Sequence, residues 1–122
     1  MPTLQELQSE IRDLELLSEV ASAEINELLE QRDEPAFDAE WMRVYTTVQD
    51  LEVEGEVQKA NVVIDEIRES TFRRVFQLTR NPEVAGAVSD DFDLIARAVQ
   101  IGLEDEWLDE MWEEYEAGRF PS

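Results

Sequence analysis

Residues 3–32, TLQELQSEIRDLELLSEVASAEINELLEQR, carry an apolar or small residue every three or four positions. Thr3 and Glu6 form the T-x-x-E pattern of a capping box, in which each side chain satisfies the other residue's free backbone N–H, so a helix should begin at Leu4. One heptad-like stripe then continues through Leu4, Leu7, Ile11, Leu14, Ser18, Ala21, Ile25 and Leu28. This spacing predicts a single long scaffold helix over residues 4–32.

A second helix is predicted over residues 35–80, antiparallel to the first, because Pro35 suits the first turn of a helix. The apolar residues from position 37 to position 51 share one face, and those from position 60 to position 78 share another, rotated by roughly 140°. The change falls around Gly55, where Glu and apolar residues alternate. We therefore expect a break near residue 55, the alternative being a continuous helix that faces two different neighbours.

The C-terminal part of the chain contains two further helix signals. Asn81-Pro82 predicts the end of the second helix and the start of a short helix over residues 82–88, because Pro cannot continue a helix but suits its first turn. Ser89 or Asp90 should then cap a last helix over residues 90–117, which Gly118 ends. The apolar face of this last helix shifts near Gly102.

Taken together, these segments predict an all-α fold. The expected architecture is a small helical bundle or a long antiparallel helical hairpin with a C-terminal acidic amphipathic helix. A chain of 122 residues is large enough to bury one core, so we expect a single domain over residues 1–122.

The composition is strongly acidic, with 31 acidic and 10 basic residues and a net charge of −21. This charge exceeds what solubility requires, and its self-repulsion costs stability. Three explanations remain open: adaptation of a whole proteome to high salt, mimicry of nucleic-acid phosphates, or docking onto a basic protein surface. Direct binding to a nucleic acid or to an anionic membrane is disfavoured.

The chain contains no Cys and no His. It therefore lacks a thiol nucleophile, a thiolate or imidazole metal ligand, and the usual general base near neutral pH. No N-terminal secretory pattern is present, and no apolar run approaches the roughly 20 residues that span a bilayer. We expect a cytoplasmic protein.

Acidic residues are most concentrated in the C-terminal helix, within about half of its circumference. Their linear density is one charge per about 2.5 Å, close to the about 1.7 Å per charge of duplex DNA. We predict that this acidic face binds the partner, and the alternative is a solvated outer face. The predicted partner-binding residues are Asp105, Glu106, Asp109, Glu110, Glu113 and Glu114.

Aromatic residues follow the opposite side of the same helix. Trp107, Trp112 and Tyr115 recur at helical spacing, which usually indicates a core stripe. Because this stripe is out of phase with the apolar residues before Gly102, part of it is also a candidate interface, for example in a homodimer.

Basic residues cluster before Asn81. Arg68, Arg73, Arg74 and Arg80 could bind phosphate, but in so acidic a chain we expect them to pair with glutamates of the first or the last helix.

Two pairs of acidic residues at helical spacing are the only material for catalysis. Glu66 with Glu69, and Asp90 with Asp93, resemble the paired acidic motifs of all-helical nucleotide pyrophosphatases of the MazG type, which bind Mg²⁺. The resemblance covers only these four residues, and the further acidic residue of that family is not found. We therefore predict no enzyme activity, no catalytic residues, no metal site and no cofactor.

The function expected from these features is that of a small acidic inhibitor or adaptor that occupies a basic surface. The best target is the nucleic-acid-binding channel of a protein or complex such as a restriction or CRISPR system. In overall character the chain is similar to phage-encoded DNA mimics of anti-restriction and anti-CRISPR type. The alternative is a coiled-coil structural or assembly protein that forms a homo-oligomer through the stripe of residues 4–32.

Overall fold

A computed structural model describes residues 3–57 and 61–122, and these residues form helices but no strand. The prediction of an all-α fold is confirmed. A short 3-10 turn at Ser22–Glu24 precedes the second of the six helices, which are α1 Leu4–Asp13, α2 Ile25–Arg32, α3 Pro35–Glu54, α4 Val62–Thr79, α5 Pro82–Ile101 and α6 Glu106–Glu116.

The central helix is α5, which packs against α1, α3 and α4. Its most buried side chains include Val84, Val88, Phe92 and Leu94, all without solvent exposure. The most extensive contact joins α4 to α5 in a helical hairpin. Between them, Arg80 adopts the left-handed conformation with φ 55°, and the Asn81 side chain caps α5 by accepting hydrogen bonds from two backbone N–H groups of its first turn.

The prediction of one continuous helix over residues 4–32 is wrong. Helix α1 ends at Asp13, and Leu17 takes a positive φ of 59°. The cause lies elsewhere in the fold: the Arg74 guanidinium donates to the Ile11 carbonyl at 2.8 Å and to the Leu14 carbonyl at 2.7 Å. These bonds satisfy carbonyls that a longer helix would have used, while the turn buries Leu17 and its neighbour Leu16 in the core. The heptad-like stripe thus does not run along one helix, which removes the basis of the coiled-coil interpretation.

The predicted short helix over residues 82–88 and last helix over residues 90–117 are also wrong in their boundaries. Helix α5 continues through Ser89, whose hydroxyl donates to the Arg68 carbonyl at 3.1 Å instead of capping a new helix. The interruption lies at Gly102, which has a φ of 71° that only Gly adopts readily. Asp105 then caps α6 by accepting a hydrogen bond from the Leu108 N–H at 3.1 Å.

The connection predicted near residue 55 begins where α3 ends, at Glu54, and α4 starts after the Asn61 cap. Residues 58–60 of this connection lie outside the described residues. No helix within the described ranges combines the length and apolar character that crossing a membrane requires.

Candidate functional site

Helix α6 presents an acidic surface because its apolar side is held in the core. Leu108, Met111 and Tyr115 are buried. Five carboxylates of α6 are exposed and form no ion pair with the residues that the structure describes, and we define the α6 acidic surface as the first four of them: Glu106, Asp109, Glu110 and Glu113. Four unpaired charges on successive turns create a negative electrostatic potential on this side of the helix.

Two of the carboxylates predicted to bind a partner are already engaged within the chain. Asp105 caps α6 and pairs with Arg43 at 2.8 Å. The hydrogen bond from Arg43 lowers the pKa of the Asp105 carboxyl below its ordinary value. Glu114 pairs with Arg119 at 2.6 Å. These contacts reduce the charge that Asp105 and Glu114 can offer to another molecule.

The three candidate interface aromatics occupy different environments. Trp107 and Trp112 are half-buried and meet Phe37 and Phe92 edge to face, with ring centroids 5.2 and 6.2 Å apart. Tyr115 has no solvent exposure, so the suggestion that it forms part of an interface is wrong. It is instead a core residue whose hydroxyl donates to Asp91 at 2.5 Å. Burial, and then the Asp91 charge, raise the pKa of Tyr115 well above its ordinary value.

Asp91 is the centre of a buried polar network that sequence analysis missed. The Arg32 guanidinium donates to both Asp91 carboxylate oxygens, at 2.8 and 2.7 Å, and to the Pro121 carbonyl at 2.9 Å. The Trp41 indole N–H donates to Asp91 at 2.9 Å. Asp91 therefore accepts hydrogen bonds from an arginine, an indole and a phenol, and it connects α2, α3, α5 and α6 in the interior.

A second buried ion pair joins α3 to α5. The carboxylate of Glu52 is 2 % exposed and accepts from the Arg97 Nε at 3.0 Å. The Arg97 guanidinium also lies 5.3 Å from the Tyr45 ring centroid, a cation–π contact. Such a pair fixes how two helices are placed more than it adds net stability.

The arginines of α4 are also used within the fold. Arg68 pairs with Asp90 at 3.1 Å and with Asp93 at 3.4 Å, both on α5. Arg73 pairs with Glu69 of its own helix, and Arg74 binds the carbonyls that end α1. The prediction that this cluster pairs with glutamates of the first or the last helix is wrong in its partners, because among the described residues Arg68 pairs with aspartates of α5, Arg73 pairs within α4, and Arg74 donates to backbone carbonyls.

The acidic pairs that resemble those of a nucleotide pyrophosphatase are engaged by other side chains in the described part of the chain. Asp90 and Asp93 are held by Arg68, while Glu66 accepts a hydrogen bond from Gln8 at 3.0 Å. Within residues 3–57 and 61–122, no three acidic side chains come close enough together to hold a metal ion.

We predict that added salt raises the melting temperature of the protein. The unpaired carboxylates repel one another, and raising NaCl from about 0.01 M to about 1 M shortens the Debye length from about 30 Å to about 3 Å. We expect an increase of several degrees in thermal unfolding followed by circular dichroism at neutral pH. A melting temperature that stays constant or falls with salt would mean that the fold already neutralises its carboxylates.

Fold and surface together define a class, the small acidic helical protein, in which ion pairs such as Arg32–Asp91 and Arg97–Glu52 lie in the core and the outer side of α6 carries unpaired negative charge within the described residues. Comparison with protein families is more specific. Residues 6–122 match the family of immunity protein PIM1, so the chain belongs to this family. A comparison with curated proteins gives no match. Membership implies that the protein binds a partner protein in an inhibitory role rather than acting as a catalyst.

Proposed function

We propose that this protein binds and inhibits a toxin in the cytoplasm, and that the α6 acidic surface occupies a basic, nucleic-acid-binding surface of that toxin. The observation that carries the proposal is the distribution of charge. Arginines such as Arg32, Arg74 and Arg97 are used inside the fold, whereas Glu106, Asp109, Glu110 and Glu113 are exposed and unpaired within the described residues. A surface of this kind is available to cations supplied by another molecule.

The spacing of these four carboxylates supports a phosphate-like role. At about 1.5 Å per residue, they present one charge per about 3 Å along the helix. Duplex DNA presents one per about 1.7 Å. The helix thus offers a linear charge density within a factor of two of that of the nucleic acid. Its four carboxylates have no ion-pair partner among the described residues, so they are available to cations of another molecule.

The family favours a toxin over a restriction or CRISPR complex as the target. Pairs of a nuclease toxin and an immunity protein are among the tightest protein complexes known. In such pairs, electrostatic complementarity accelerates association and selects the partner, while contacts between buried groups slow dissociation.

Binding should weaken with salt and compete with nucleic acid. The toxin is first isolated by affinity purification, with this protein as the tagged bait. The dissociation constant of the complex is then measured over a range of NaCl concentrations. We expect the constant to rise steeply with salt, and a short DNA or RNA duplex to displace the protein from the toxin. Affinity that is independent of salt, together with simultaneous binding of protein and duplex, would contradict the proposal.

A further inference from the structure

A small cleft lies between α1, α5 and α6, next to the α6 acidic surface. Its volume is about 260 Å³. Pockets that hold cofactors or drug-sized ligands have volumes of about 300–1,000 Å³, so this cleft is suited to one side chain rather than to a small-molecule cofactor.

The cleft combines an apolar floor with an acidic rim. Leu7, Ala98 and Leu108 form part of the floor and are at most 5 % exposed. Glu10 of α1 and Asp109 of α6 are exposed and stand at the rim, and neither forms an ion pair with a described residue. The cleft is therefore amphipathic, with carboxylates contributed by two different helices.

An aromatic wall completes the cleft. Trp112 lines it and is half-buried, and its ring meets Phe92 edge to face. Trp is the best of the aromatic side chains for binding a cation over its face. The apolar floor thus suits the aliphatic stem of a basic side chain, while the acidic rim and the aromatic wall suit its positively charged end.

We infer that this cleft binds a single arginine side chain of the partner protein, an inference that rests on the proposed function. The aliphatic stem of the arginine lies on the apolar floor, as long basic side chains do on apolar surfaces. Its guanidinium then reaches Glu10 and Asp109 and stacks on Trp112. Arginine fits better than lysine because its planar, weakly hydrated head group both stacks on aromatic rings and pairs with two carboxylates.

An apolar side chain is a poorer occupant of the same cleft. It would fill the floor but would bring a hydrocarbon against Glu10 and Asp109, which would lose water without gaining a partner. The charge at the rim therefore selects a cation, and the small volume excludes a whole helix or a polypeptide loop.

The cleft can be tested without the partner, using n-butylguanidinium chloride as the probe and uncharged n-butylurea as its isosteric control. Binding is followed by NMR through the indole N–H signal of Trp112, with Trp41, which is hydrogen-bonded to Asp91, as an internal reference. We expect a saturable shift of the Trp112 signal with butylguanidinium and at least about tenfold weaker binding of butylurea. The variant Glu10→Gln/Asp109→Asn should weaken butylguanidinium binding about tenfold, whereas Glu27→Gln/Glu30→Gln, which removes the same charge from α2, should not.

Equal binding of butylurea and butylguanidinium, or equal effects of the two double variants, would overturn the inference. In the complex, Glu10→Gln should weaken toxin binding about tenfold, and Asp13→Asn on the same helix should change it less than about twofold. Equal effects of these two variants would overturn the inference for the complex. Because Glu10 is not part of the α6 acidic surface, the cleft can fail while the proposed function stands. If butylguanidinium binds but toxin affinity does not depend on salt, the proposed function fails instead.

Discussion

Asp91→Ala is expected to lower the free energy of unfolding by about 3–5 kcal/mol. The substitution leaves the Arg32 guanidinium, whose side chain is 10 % exposed, without its carboxylate. It also removes the acceptor of the Trp41 N–H and of the Tyr115 hydroxyl. Since domains of this size are stable by only about 5–15 kcal/mol, the variant should be at the limit of folding. Urea unfolding followed by circular dichroism measures the change.

A matched control is Asp90→Ala, one residue away. Asp90 is exposed and pairs with the half-buried Arg68 at the surface, so its loss should cost no more than about 1 kcal/mol. Tyr115→Phe removes one donor from the network while keeping the ring, and about 1–2 kcal/mol is expected for it. If Asp91→Ala and Asp90→Ala unfold at the same urea concentration, the buried network contributes nothing to stability.

The pH of this experiment matters because Tyr115 titrates differently in the two states. Its pKa is raised in the folded protein, first by burial and then by Asp91. The corresponding stability is therefore fully present below the unfolded pKa of about 10 and is lost as the pH rises toward the folded value. Measurements near pH 7 thus report the intact network.

Neutralising the α6 acidic surface is expected to weaken toxin binding about 100-fold or more. The variant is Glu106→Gln, Asp109→Asn, Glu110→Gln and Glu113→Gln, which keeps side-chain size while removing four exposed charges. A loss of about 1.4 kcal/mol is tenfold in affinity, and a charge pair held closely at an interface contributes about 1.5 kcal/mol or more. Two such charge pairs among the four carboxylates are enough to account for a loss of about 100-fold in affinity. Because these carboxylates form no ion pair in the described part of the chain, the fold should be retained, with a melting temperature equal to or above that of the parent.

The control for this variant removes the same net charge from α2 and α3, through Glu27→Gln, Glu30→Gln, Asp50→Asn and Glu54→Gln. All four residues are exposed, and both sets include first-turn carboxylates of a helix, Glu27 in the control and Glu106 and Asp109 in the test. Titration calorimetry at low salt compares both variants with the parent. Equal affinities of the two folded variants would show that charge matters only as a total, and that α6 has no special part in recognition.

Helix signals that depend on neighbouring residues were interpretable from the sequence. Thr3 caps α1 by accepting from the Glu6 N–H, Pro35 opens α3, and Asn81-Pro82 separates α4 from α5. The end of α1 could not be predicted in this way, because residues 4–32 contain neither Gly nor Pro. That helix ends where Arg74, 60 positions away from Leu14, binds its carbonyls. A local pattern holds no information about such a contact.

In the candidate site, too, features set by local spacing were predictable and features set by distant contacts were not. The exposed carboxylates of α6 were predictable because helical spacing alone places them opposite the apolar side. The buried network was not, since Arg32 and Asp91 are 59 positions apart. One signal was available: in a helix that continues past Ser89, Asp91 lies at helical spacing between Val88 and Ile95, both buried. Because Ser89 was interpreted as the cap of a new helix, this spacing of Asp91 was not recognised.

The separation between the buried network and the α6 acidic surface has an evolutionary consequence. Asp91, Arg32 and Tyr115 hold the helices together from within, whereas Glu106, Glu110 and Glu113 hold nothing within the described fold. Substitutions at distant, independent sites act additively, so the outer carboxylates can drift without loss of stability. A lineage can thus follow a changing partner protein by altering its surface while the interior stays the same. Asp105 differs from these outer carboxylates, because it caps α6 and pairs with Arg43, so a change there would disturb the fold itself.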